Sequence, residues 1–114
     1  MKAITLYQPW ATLKALNEKK IETRSWATNY RGPLAIHAGT NKAYIKMRGK
    51  DYICGNEPFR SVLNEACRNH YQHNHLSVKF MPLGAIVAIC NLVDCVKITL
   101  YSLDRPVEAL IAYD

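Results

Sequence analysis

The chain has 114 residues, enough for one domain with its own core and too few for two. Apolar residues make up 49% and charged residues 21%, the composition of an ordinary soluble globular protein. The longest apolar run, around GAIVAICNLV, is too short to cross a bilayer, and a net charge of +6 favours anionic partners such as nucleic acid, nucleotides or acidic proteins.

KAITLY alternates β-forming residues and predicts a first strand. Pro9 suits the first turn of a helix, where its missing N–H would be an unpaired donor anyway. Trp10, Leu13 and Leu16 follow at helical spacing, to about Asn17. IETRSW predicts a short strand, NYRGP a turn, and LAIHA the next strand, closed by Gly39. Thr40 or Asn41 is placed to cap a short helix carrying Ala43, Tyr44 and Met47. Pro58 opens a longer helix, on which Phe59, Val62, Leu63, Ala66 and Cys67 recur on one buried face. That helix is expected to fray into NHYQHNH, a polar exposed linker. Pro82 and Gly84 precede AIVAICNLVDCVKITL, whose first part carries apolar residues at both parities and reads as a strand covered on both sides. The tail YSLDRPVEALIAYD fits neither period. With no repeat or low-complexity stretch, 1–114 is expected to be a single α+β domain. A small, strongly bent sheet or open barrel with helices at its ends is the expected layout.

Cys54, Cys67, Cys90 and Cys95 form no CxxC pair, so a zinc ribbon or finger is not expected. The opening MKAITLYQPW carries one Lys and no long apolar stretch, so no secretory leader is expected. Reduced thiols in a cytoplasmic setting follow from that expectation. Cys67, His70, His73 and His75 look like a metal set but fall on a helix end and a polar loop, so no metal and no cofactor is expected. No P-loop, GxGxxG or GxSxG occurs.

Chemistry concentrates in the first quarter. Gln8, Trp10, Lys20, Glu22, Thr23, Arg24, Ser25 and Trp26 crowd a helix-to-strand junction that holds both tryptophans. Strand alternation puts Glu22, Arg24 and Trp26 on one face, with Ile21, Thr23 and Ser25 on the other. Ile21 marks the second face as core-directed, so Thr23 and Ser25 hint at a polar-lined cavity and Glu22 and Arg24 at an outer ion pair. The plain alternative is a solvated strand with a surface ion pair and one amphipathic Trp. Tyr30 and Arg31 precede a Gly-Pro turn, where Tyr, Trp and Arg side chains near one rim can stack bases and meet phosphates. His37 lies in a strand, where a lone His is more often structural than catalytic.

The blocks LYQPWATLKAL, KKIETRSW, YRGPLAIHA and LGAIVAICNLVDC, in that order, resemble the ASCH domain family of the PUA-like superfamily, over most of residues 4–95. The resemblance implies a β-pseudobarrel with a cleft, an RNA or modified-nucleoside ligand, and a bacterial or phage type of domain. It implies a cleft lined by polar residues of the first blocks, so Gln8, Trp10, Arg24, Ser25, Trp26, Tyr30, Arg31 and His37 are the candidate nucleic-acid-binding residues. One branch of the superfamily hydrolyses acetylated cytidine with a Lys, a Thr three residues later and a distant Glu. Lys20 and Thr23 match that spacing. Glu22 completes the candidate catalytic set, and Glu57 and Glu65 are further carboxylates by rough location. Ribonuclease activity is also credited to some members.

Three functions stay open: a small module binding RNA or a nucleotide, an amidohydrolase or ribonuclease, and a protein-interaction domain linked to transcription. The resemblance also implies a final barrel strand beyond NLVDC. Its Gly-rich aromatic signature is absent, so a sheet edge is expected to be left open. The segment after Pro106 is then expected to make intermolecular contacts in a homodimer, or else the cleft to be left more open than in longer relatives.

Overall fold

The structure is a computed structural model and describes residues 1–19, 21–24, 26–72, 80–97 and 110–113; Thr23, Val96, Lys97 and 110–113 are described by their backbone alone. Eight elements follow in chain order: β1 Lys2–Leu6, α1 Trp10–Ala15, β2 Ile21–Arg24, β3 Gly32–Ala38, α2 Phe59–Tyr71, β4 Ala85–Leu92, β5 Asp94–Lys97 and β6 Leu110–Tyr113. No described helix is long and apolar enough to cross a membrane.

The strands form two three-stranded sheets. In the first, β3 lies between β1 and β4. β1 runs parallel to β3, pairing Ile4 with Ile36 and Leu6 with Ala38. β4 runs antiparallel to β3, pairing Ala88 with Ile36 and Ile86 with His37, so Val87 is passed over as a bulge. Alternation along β1 buries Ile4 and Leu6 and leaves Lys2, Ala3 and Thr5 in solvent. Leu34, Ile36 and Ala38 add their side chains to the same face, and with Ala11 and Leu92 they make the main core. In the second sheet β6 lies between β2 and β5, parallel to both.

Helix α1 is short and packs closely: Ala11, Thr12 and Leu13 are all buried. It ends two residues before the expected Asn17, which itself adopts a left-handed backbone at φ 62° and turns the chain toward β2. Helix α2 buries Leu63, Ala66 and Cys67 on one stripe, as its spacing predicts. Its N-cap, Pro58, has no side chain to offer, and Glu57 supplies the acceptor one residue earlier.

The fold is α+β, with strands of mixed direction and two helices. Several expectations are corrected. The described strands do not close into a pseudobarrel, because no described strand pairs into both sheets. The segment carrying Ala43, Tyr44 and Met47 is a run of turns rather than a helix. The Asn41 side chain does accept from the Ala43 N–H at 2.8 Å, but Arg48, at φ 68°, stops any helix from propagating. β4 is not covered on both sides: it is an outer strand of its sheet, and Ile86 and Ile89 are 53% and 63% exposed. Residues 69–71 of the expected linker belong to α2, and 73–79 lie outside the described residues. The edge expected to stay open is filled from within the chain, with β6 at the centre of its sheet.

Candidate functional site

A cleft of about 550 Å³ opens where α1 faces β2. Thr5, Leu6, Tyr7 and Trp10, from β1, the turn after it and the start of α1, form one wall. Lys19, Glu22 and Arg24, from the loop before β2 and from β2 itself, form the other.

The first wall is aromatic and backed by packed rings. Tyr44 lies 5.8 Å from Tyr7 and meets Trp10 edge-on at 5.0 Å between centroids. Phe59, at the start of α2, meets Trp10 edge-on from another side at 5.8 Å. Edge-to-face contacts of this kind orient a ring as well as bury it. Tyr7 keeps about half its surface in solvent, leaving a face for a ligand.

The second wall is charged. Lys19 Nζ stands 3.2 Å from Glu22 Oε2 and also donates to the Ile21 carbonyl. Arg24 Nε stands 3.7 Å from Glu22 Oε1, too far for a hydrogen bond, while Arg24 Nη2 donates to the Thr5 carbonyl at 2.8 Å. That last bond ties the two walls together across the cleft. Among the described residues Arg24 Nε is a buried nitrogen with no hydrogen-bond partner. Behind this wall, Lys14 on α1 has its pKa held below the ordinary lysine range. Burial is the main cause; Cys90 and Glu22 oppose it and Lys19 adds to it.

Of the candidate residues, the structure brings Trp10, Glu22 and Arg24 together in the cleft. The last two share a face of β2, as alternation requires, but that face is turned into the cleft and is not an outer surface pair. Gln8 is fully buried and acts as a brace: Nε2 donates to the Pro82 carbonyl at 2.8 Å, and Oε1 accepts from the Thr12 N–H at 3.0 Å. Tyr30 packs against the main core and its hydroxyl donates to the Pro33 carbonyl. Arg31 is held by the Thr28 and Tyr30 carbonyls, 3.8 Å from Asp94. The His37 ring pairs with the Thr5 hydroxyl at 3.2 Å. Trp26 stands exposed, apart from the cleft walls. The cleft expected to reach the RGPLAIHA strand thus opens against β1 instead. Lys20, Ser25 and the side chain of Thr23 lie outside the described residues. Glu57 is paired with Arg60 at 3.0 Å on the surface, and Glu65 is exposed on α2.

Thr5, Leu6, Tyr7 and Lys19 were not singled out from sequence. Lys19 carried a signal, since it stands three residues before Glu22, but Lys20 beside it carries the same charge. Among the described residues no group of His, Cys, Asp and Glu is arranged to hold a metal ion, and His73 and His75 lie outside them. His70 instead faces Glu18 at 3.4 Å.

A family model for the ASCH domain matches residues 4–110. The chain belongs to the ASCH domain family. The match takes in β1 from Ile4 onward, every element from α1 to β5, and every residue lining the cleft of this ASCH domain. No curated protein and no solved structure gives a significant match.

Proposed function

We propose that this ASCH domain binds a nucleotide unit of RNA in the cleft between α1 and β2. One observation carries the reading: a single concavity sets the aromatic wall of Tyr7 and Trp10 against the cations Lys19 and Arg24. A base stacks on the ring wall, which is worth about 1–3 kcal/mol for each stacked base. Phosphate or carbonyl oxygens of the ligand accept from Lys19 and Arg24, which both line the cleft. Glu22 accepts from an exocyclic amino group or a ribose hydroxyl. The association of the family with RNA supports the same reading. In this view the two sheets are the open form of a PUA-like pseudobarrel, with the cleft at the seam.

Nucleosides and nucleotides, modified and acetylated forms included, are incubated with the protein; binding is measured by calorimetry and the ligands are recovered for mass spectrometry. Saturable binding that Arg24→Ala weakens, with ligands recovered intact, is the expected result. No binding to any member of the panel overturns the proposal. An acetylated cytidine returned as cytidine would replace the binding module with the amidohydrolase.

A further inference from the structure

Beside the cleft, the turn segment 41–51 carries Lys42, Lys46, Arg48 and Lys50, all exposed. Asp51 is the one acidic residue between positions 40 and 56. Among the described residues none of the four cations is paired with a carboxylate; the neighbouring Glu57 is taken by Arg60. Unpaired cations concentrated on one short segment raise the local potential, where scattered pairs would cancel it.

The segment is anchored to the cleft wall. Tyr44, in its middle, is the ring that touches both Tyr7 and Trp10. The Ile53 N–H donates to the Tyr44 carbonyl at 3.1 Å, and Ile45 is buried beneath. Turn hydrogen bonds from Lys46 N–H to Lys42 O and from Gly49 N–H to Lys46 O hold the cations on a defined scaffold. Lys42 and Lys46 are each two residues from Tyr44, so their Cα atoms lie at most about 7 Å from its own. The cationic segment therefore begins at the back of the ring wall that lines the cleft.

We propose that segment 41–51 is a second contact surface, which receives the phosphodiester backbone of a single nucleic-acid strand as it leaves the cleft. The inference rests on the cleft reading for its starting point. The cleft holds one unit, and the cations meet the phosphates that follow. A compact row of exposed Lys and Arg side chains suits phosphates, which need charge neutralisation and no base-specific contact.

The test compares two probes on the full chain. One is uridine 5′-monophosphate; the other is a labelled oligouridylate of about a dozen nucleotides, within the range single-strand modules cover. The variant is Lys42→Gln/Lys46→Gln/Arg48→Gln/Lys50→Gln, with Lys46→Glu/Arg48→Glu as the second variant. All four positions are exposed, and unchanged thermal unfolding checks that the fold is kept. The expected result is a log–log salt slope for the oligomer that falls by about 0.7 for each cation that meets a phosphate, to a total of about 2.8, with affinity for the mononucleotide unchanged. The charge-reversed variant, which changes the segment's charge by the same four units, should weaken oligomer binding to a comparable extent. An unchanged oligomer slope in both variants overturns the proposal. Tighter binding to anionic vesicles than to the oligomer, lost in the same variants, also overturns it, in favour of a membrane surface. Loss of oligomer binding in Arg24→Ala and in the loop variants supports both contacts. Loss in the loop variants alone, with Arg24→Ala matching the parent, supports the segment and removes the cleft reading.

Discussion

The two walls of the cleft are built by different physics. The Tyr7–Trp10 wall stands on the main core: Leu6 and Ala11, beside those rings, are fully packed, and Tyr44 and Phe59 hold the rings from behind. The Lys19–Glu22–Arg24 wall stands on a four-residue strand and is held by ion pairs at 3.2 and 3.7 Å and by one hydrogen bond to Thr5. Burial of apolar surface sets the first wall, and paired charges set the second. Stability and binding should therefore be separable by mutation.

The largest expected effect lies under the first wall. Ile36→Ala, at the centre of β3 and almost fully buried, should cost about 2–5 kcal/mol in urea unfolding, by lost transfer energy and the cavity left behind. A cost well under that range would mean that the first sheet does not carry the core.

Gln8→Leu comes next. It removes the bonds to Pro82 and Thr12 and leaves the Thr12 N–H unpaired in a buried site, a loss of about 1–3 kcal/mol of stability. Nucleotide affinity measured well below the unfolding temperature should stay near the parent value. A large affinity loss with unchanged stability would move Gln8 from brace to ligand contact.

Arg24→Ala should invert that pattern. Affinity for a phosphorylated ligand should fall and lose part of its salt dependence, by about 0.7 in the log–log slope per phosphate released. Thermal stability should fall by only about 1 kcal/mol, since the ion pair with Glu22 is long and partly solvated and the lost bond to the Thr5 carbonyl is an exposed one. An unfolded Arg24→Ala would show instead that the second wall is structural.

Smaller effects come from titrating groups near and far from the cleft. The lowered pKa of Lys14 means that the unfolded chain holds its proton more tightly than the folded one. Stability therefore rises with pH between the folded value and the ordinary lysine range. Lys14→Met should flatten that rise in thermal unfolding followed against pH; an unaltered profile would mean that Lys14 keeps its proton without penalty. The smallest effect is expected at Glu57. A hydrogen bond from the Ser61 hydroxyl, with Arg60 adding to it, holds its carboxyl below the usual carboxylate range. The stabilisation it gives is present above the ordinary carboxylate pKa and is lost as pH falls through the lowered folded value. Glu57→Gln should slightly shift the acid unfolding midpoint, and should leave ligand binding at neutral pH unchanged.

Much of the fold was legible because its signals are local. Ile4 and Leu6 alternate, Leu63, Ala66 and Cys67 fall on one helical stripe, and Gly39 and Gly84 close elements next to β3 and β4. The four blocks from LYQPW to NLVDC were enough to point to the ASCH family. The 41–51 segment misled because its helical capping signal at Asn41 is present but leads only into turns. β4 misled because apolar residues at both parities predict cover on both faces, whereas its place at the edge of the sheet leaves Ile86 and Ile89 outside. At the cleft, residue types pointed to the quarter of the chain that lines it, without separating brace from lining residue. Gln8 and Trp10 are two residues apart, yet one is sealed beneath Pro82 and the other faces the cleft.

What the sequence determined by itself was periodicity and chemistry: where most strands and the long helix would fall, and that cations and aromatic rings crowd the first quarter of the chain. Only the tertiary structure decided the rest. It set which face of β2 turns inward, placed β1 rather than β3 at the cleft, and let Leu110–Tyr113 fill the middle of the second sheet. The physical reason is that alternation defines two faces but not which one is covered. The choice falls to packing between segments far apart in the chain, where burying Leu6 and Ile36 together outweighs any local preference.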